Sequence, residues 1–330
     1  MEMKPMWQTI NHMLEKVLPV LTPASVAVGV WLSDELRGYA VLVPWLFAFM
    51  TFSGSLRLRL ADLKEVLIHP GPIATALCLL HLVIPLWAFG LGHLFFGGDR
   101  LTVIGFVLAA AIPTGVTSFI WVSIGRGNLA LALSVILIDT FLSPAVVPLT
   151  LLLFAGSAVE IDVWQMMLGL FFMIILPSLG GMFVSERLSN QVNERLAMVL
   201  SPFSKLALVL VVMINSAVVA PYFGHADARL VFMAFLVFVI AGSGYFLSWM
   251  AARWLKFAPP DIIALTFTGG MRNISAGAVL AITYFPPPVS VPVVLGMLFQ
   301  QVLASMYHRL LDKTYHLSSG SQAPFAGSAR

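Results

Sequence analysis

Charged residues are so sparse along this chain that a soluble fold would lack the material for its surface. Of 330 residues, 59% are hydrophobic and 10% are charged, where a soluble domain carries about 25% charged residues. The apolar residues come in runs of about twenty, the length a helix needs to cross the hydrocarbon core of a bilayer. Ten such runs lie near 14–33, 39–56, 71–96, 101–124, 128–156, 163–184, 202–223, 228–252, 259–285 and 289–308. Short polar stretches separate them, among them "RLRLADLKE", "GGDR", "VEID", "SERLSNQVNER" and "GHADAR". A transmembrane β-barrel would instead alternate apolar and polar residues over strands of about ten. The expected class is an all-α membrane protein of about ten transmembrane helices.

The basic residues orient these spans. With the N-terminus inside, fourteen of the eighteen Lys and Arg fall in inside segments and three, Arg37, Arg100 and Arg229, fall outside. That is the asymmetry the positive-inside rule requires, sustained along the chain. It predicts a cell (inner) membrane protein with both termini cytoplasmic. The remaining basic residue, Arg272, lies within a span. Asp139 is the one acidic residue placed well inside a span. The N-terminal stretch 1–13 reads as a cytoplasmic lead-in, because no small-residue cleavage site follows its apolar region. Residues 309–330 read as a partly disordered tail, rich in Ser, Gly and Ala at its end.

Several functions are excluded at this level. A single cysteine, Cys78, rules out a disulfide framework and a multi-cysteine metal site. The seven histidines are scattered, without metal-ligand spacing. No basic face with interleaved aromatic residues supports nucleic-acid binding. An enzyme is not expected, since neither HExxH nor GxSxG occurs. No cofactor is expected.

Two of the spans are interrupted. The fourth is broken at Pro113, Thr114 and Gly115, and the ninth at Thr268, Gly269 and Gly270. Four and nine occupy the same position in two five-helix halves, 14–156 and 163–308, which with an odd helix number would be inverted repeats. Paired breaks of this kind point to a transporter's binding site at the midplane. Unpaired backbone at a break must line a cavity or be buried in protein, and the half-helices that follow present positive dipole ends that favour anions. Thr114, Thr117 and Ser118 at the first break, and Thr268, Arg272, Asn273 and Ser275 at the second, are candidate substrate-binding residues. His81 in span three and Asn215 in span seven are further candidates; His81 is equally readable as a buried hydrogen-bonding residue, and for Asn215 interhelical hydrogen bonding is the commoner role. Gln300 and Gln301 in span ten are similar.

The string "PTGVTSFIWVSIGRGNLALALSVILIDTFLSPAVVP", 113–148, resembles the span-four and span-five region of bile acid–sodium symporters. "GGMRNISAGAVLA" resembles their span-nine segment, and "WLFAFMTFSGSLRLRLADLKEVLIHPGPI" is similar to their second span and following loop. The resemblance implies a panel domain and a core domain, broken helices crossing within the core, and organic anions carried with sodium. It also exposes departures. Where relatives have a sodium-binding Glu and a Gln, this chain has Thr268 and Arg272. Their Ser-Asn pair reads Ser118-Phe119, and the span-five Ser and Thr fall on Ala132 and Ile136. Sodium prefers several oxygen ligands including a carboxylate, and Phe, Ala and Ile offer none.

The expected function is therefore secondary transport of a small organic anion by alternating access, with sodium doubtful and a proton possible. Buried membrane charges pair, so Asp139 and Arg272 form the expected coupling pair. Arg272 would serve a substrate carboxylate, or Asp139 would take up a proton. The pair as a static strut is the alternative. Sodium-coupled symport through non-standard ligands and a non-transporting sensor or scaffold are the rival functions. An arsenite permease fits less well, because the one cysteine is in span three. The expected partners are the substrate anion and membrane lipid; the oligomeric state stays open.

Overall fold

The computed structural model describes residues 3–56, 70–155, 162–223 and 227–315. They form α1 (Met3–Trp31), α2 (Val43–Ser55), α3 (Pro70–Phe96), α4 (Arg100–Ala111), α5 (Ser118–Ile124), α6 (Leu129–Ala155), α7 (Val163–Arg187), α8 (Asn190–Phe223), α9 (Ala228–Trp254), α10 (Pro259–Gly270), α11 (Ile274–Tyr284) and α12 (Ser290–Tyr315). Short helical turns at Ser33–Leu36 and Arg37–Leu42 lead into α2. Among the described residues there is no named strand, only an isolated bridge between Thr114 and Arg272. Among the described residues, seven segments are long and apolar enough to cross a membrane: Ser33–Ser55, α3, α6, α7, α8, α9 and Pro287–Tyr315. Val20–Trp31 of α1, α4 and α11 are shorter apolar helices.

The helix starts follow from the polar separators. Asp99, Asp162 and Asp227 each accept a backbone N–H three residues on, from Thr102, Gln165 and Leu230. Each satisfies an orphan donor of the helix it caps and sits at the positive dipole end. Asp99 also takes Arg229 as an ion-pair partner, which ties the starts of α4 and α9 together.

Several boundaries differ from the sequence reading. Helix α1 begins at Met3, so the lead-in is helical rather than a separate segment. The stretch "SERLSNQVNER" is mostly helix as well, since α7 runs to Arg187 and α8 starts at Asn190. Polar residues can prolong a helix beyond its apolar stretch, so hydropathy underestimates helix length. Helix α12 continues to Tyr315. Residues 57–69 and 316–330, which the sequence reading took as an inside separator and a tail, lie outside the described residues.

Packing sorts the helices into two groups. α1 lies along α8, and α2 packs on α7 and α8. α3 packs on α4, and α9 on α10 and α12. A cavity of about 390 Å³ lies between the groups. One wall carries Leu18, Phe47, Ile174 and Lys205; the other carries Thr117, Thr140, Arg272 and Gln300.

Candidate anion site at the crossing of two interrupted helices

Proline has no N–H to continue a helix, and the chain leaves helical geometry at Ile112, just before Pro113. The second interruption falls at Met271–Asn273. This corrects the sequence reading, which placed the break at Thr268, Gly269 and Gly270. All three are helical and buried in α10. Their role is close approach. A Cβ on Gly270 would lie 2.2 Å from Cγ of Tyr245, and one on Gly269 would lie 2.0 Å from the Ser248 hydroxyl. The glycines let α10 press against α9; they do not open it.

The two interruptions pair with each other. Asn273 N–H donates to the Pro113 carbonyl at 2.8 Å, and Gly115 N–H donates to the Met271 carbonyl at 3.1 Å. The Thr114 hydroxyl lies 2.5 Å from the Thr268 carbonyl, to which it donates, and 3.0 Å from that of Met271. Thr114 N–H donates to Asp139 Oδ2 at 2.5 Å, and Arg272 N–H donates to Gln300 Oε1 at 2.9 Å. Asn273 caps α11 through Ala276 N–H. Backbone groups freed by the breaks thus find partners that lipid cannot supply, each unpaired group costing several kcal/mol, or roughly that, in hydrocarbon. Gly115 is required by this approach, because a Cβ there would meet the Arg272 carbonyl oxygen at 2.9 Å.

The buried charges are arranged differently from expectation. Asp139 is fully buried on α6, and its Oδ1 lies 3.0 Å from His81 Nε2. The His81 ring is carried on a π-turn, Leu79–Val83, within α3. Such turns often mark functional positions. No ion pair joins Asp139 to Arg272 among the described residues, although each lies within the other's electrostatic reach. Arg272 is 7% exposed, and its Nη2 has no hydrogen-bond partner. It lines the large cavity and also a smaller apolar one of about 40 Å³ shared with Tyr245 and Gln300.

Of the candidate residues, Thr117, Arg272, Asn273, Ser275, Gln300 and Gln301 line the large cavity. Thr114 and Thr268 are buried, their hydroxyls bonded to carbonyls. Ser118 and Asn215 are fully buried with unpartnered side-chain atoms and line neither cavity. His81 is brought to Asp139 rather than to a cavity wall.

Sequence reasoning missed Lys205. It lines the cavity with Ser201, Ser204 and Leu208, and it donates to the Asn11 carbonyl and side chain at 3.2 and 2.9 Å. The signal was helical spacing: positions i, i+3, i+4 and i+7 share one face. No acidic residue appears in the lining.

Apolar helices of spanning length, packed with two pairs of shorter helices whose breaks cross beside a cavity, define an integral membrane protein of the transporter class. The sequence model of the sodium bile acid symporter family matches residues 44–226, and the chain belongs to that family. It is 51% identical over 296 residues to the Bacillus subtilis protein named uncharacterized protein YbaS, covering 90% of this chain and 97% of that one. It is 27% identical to the uncharacterized sodium-dependent transporter YocS of the same organism, over 80% and 83% of the two chains. It is 24% identical to the probable sodium/metabolite cotransporter BASS1, chloroplastic, of Oryza sativa subsp. japonica, over 90% and 72%. The chain is a membrane-embedded secondary transporter, not an enzyme.

Proposed function

We propose that this protein carries a small organic anion across the cell membrane by alternating access. In this reading α1, Ser33–Ser55, α3, α4 with α5, α6, α7, α8, α9, α10 with α11, and Pro287–Tyr315 are ten spans in two inverted halves, with both termini cytoplasmic. The group of α1, α2, α7 and α8 is the panel, and the remainder is the core that holds the crossing. The observation that carries the anion reading is the cavity lining: Arg272 and Lys205 contribute positive charge, and none of the lining residues is acidic. Thr117, Asn273 and Ser275 add polar groups to the lining.

Arg272 stands where relatives hold sodium, as a tethered cation. The donor set at the crossing fits a sodium pair poorly. Phe119, Ala132 and Ile136 supply no side-chain oxygen, the Thr114 hydroxyl is engaged with the Thr268 carbonyl, and a fixed guanidinium repels a second cation. Transport by this reading runs without the usual sodium ions. A second reading, sodium coupling through non-standard ligands, is favoured by one observation: the Ser118 hydroxyl is buried beside the crossing without a partner.

Uptake of a panel of radiolabelled organic acids into proteoliposomes tests the reading. At least one acid should accumulate, and Arg272→Gln should abolish its uptake. Uptake equal in the wild type and Arg272→Gln, or no uptake of any acid, sinks the proposal.

A further inference from the structure

The polar groups left over at the crossing are mostly donors. The carbonyls at the breaks are already engaged: Pro113 accepts from Asn273 N–H, Met271 from Gly115 N–H, and Thr268 from the Thr114 hydroxyl. The Arg272 guanidinium can only donate, and its Nη2 has no partner.

Three carboxamides line the large cavity: Asn273, Gln300 and Gln301. A carboxamide has one accepting end and one donating end, and an N–H can meet only the oxygen. Each oxygen here is met by an N–H. Asn273 Oδ1 accepts from Ala276 N–H at 3.3 Å, Gln300 Oε1 from Arg272 N–H at 2.9 Å, and Gln301 Oε1 from the Trp121 indole N–H at 3.2 Å. These bonds fix which way each amide is turned. The end that remains for a ligand is the NH2 group in all three, and among the described residues no protein group accepts from these nitrogens. Asn273 follows Arg272 in the chain, and Gln300 is bonded to the Arg272 backbone, so two of the three donors surround the guanidinium. Lys205 in the same lining is another donor group, bonded to Asn11. The Thr117 and Ser275 hydroxyls can donate or accept, and none of the lining residues is acidic.

A carboxylate suits this lining, and so does a further carbonyl oxygen on the same molecule. A ligand hydroxyl or ammonium brings hydrogens for which the three amides have no acceptor, and a polar group left unmatched loses affinity. An ammonium is also repelled by Arg272.

We propose that the substrate is a carboxylate whose remaining polar groups are acceptors only, and that Asn273 and Gln300 select it over hydroxy and amino acids of the same skeleton. This rests on the anion reading above, in which Arg272 holds the carboxylate.

The test is calorimetric titration of the full chain in nanodiscs with four acids of one skeleton: 3-methylbutanoate and its 2-oxo, 2-hydroxy and 2-amino forms. Wild type should bind the 2-oxo acid about tenfold more tightly than the 2-hydroxy acid, and the 2-amino acid not measurably. Asn273→Asp and Gln300→Glu still accept from Ala276 N–H and Arg272 N–H, and each replaces an NH2 donor by an oxygen. The added charge weakens the 2-oxo and 2-hydroxy anions alike, so the readout is the ratio of their affinities. That ratio should fall to about one or below in both variants. Equal wild-type affinity for the two acids, 2-amino acid binding as tight as that of the 2-oxo acid, or a ratio retained in both variants overturns the selection and leaves the anion reading standing. Failure of all four acids to bind, or binding indifferent to Arg272→Gln, overturns the anion reading and the selection with it.

Discussion

Thr114→Val removes one hydroxyl from the crossing while nearly keeping its shape, and its cost follows from the structure. The hydroxyl donates to the Thr268 carbonyl at 2.5 Å and lies 3.0 Å from the Met271 carbonyl. The Met271 carbonyl keeps its bond from Gly115 N–H. The Thr268 carbonyl has no helical donor to return to, because the N–H four residues on belongs to Arg272 and points to Gln300. One fully buried carbonyl is left without a donor, a loss of about 1–3 kcal/mol in general. Hydrogen bonds inside membrane bundles average about 0.6 and reach about 1.7 kcal/mol. The expected destabilisation is about 1–2 kcal/mol, read from unfolding by SDS in mixed micelles. Thr114→Ser loses only a methyl group, about 0.8 kcal/mol at most, and should keep the amide protons of Arg272 and Asn273 protected from hydrogen exchange. Thr114→Val should expose them. A valine variant as stable and as well protected as wild type would refute the reasoning that the hydroxyl clamps the crossing.

The other predictions use the same geometry. Gly270→Ala should yield little folded protein by size-exclusion chromatography, because the added Cβ meets a buried Tyr245 ring that is itself stacked on Tyr307 at 4.8 Å; overpacking costs about 1–3 kcal/mol and more where nothing can retreat. Gln300→Ala leaves the Arg272 N–H without its acceptor and should cost about 1–2 kcal/mol in the same unfolding assay while slowing uptake. Lys205→Met should weaken anion affinity several-fold, with the difference shrinking as salt is raised, since a cavity open to water screens its charges.

The chemistry of the breaks was legible in the chain because both their causes and their consequences are local. Proline cannot donate, and polar residues inside an apolar run must find partners, so Thr114, Arg272 and Asn273 could be singled out before any fold was known. Three features were not legible, each for a reason of tertiary contact. Gly269 and Gly270 read as helix breakers because glycine lowers helix propensity, whereas the deciding term is the space taken by Tyr245 and Ser248 on α9. Asp139 was assigned to Arg272 on charge alone, but the carboxylate is met by His81, a residue whose neutral form gives no charge signal. Lys205 was one of the fourteen basic residues counted to the inside, and only the packing of α1 and α8 shows its face at the cavity. The aspartates of the polar separators, by contrast, act where they stand: Asp99, Asp162 and Asp227 cap the helices they precede.

The central claim is that Arg272 stands in for a coupling cation. It is tested most directly by the initial rate of organic-acid uptake into proteoliposomes, measured in sodium medium and again with choline in place of sodium, for wild type and Arg272→Gln. The account predicts equal wild-type rates in the two media and no uptake by Arg272→Gln in either. Uptake that requires sodium in wild type, or that persists in Arg272→Gln, would contradict it.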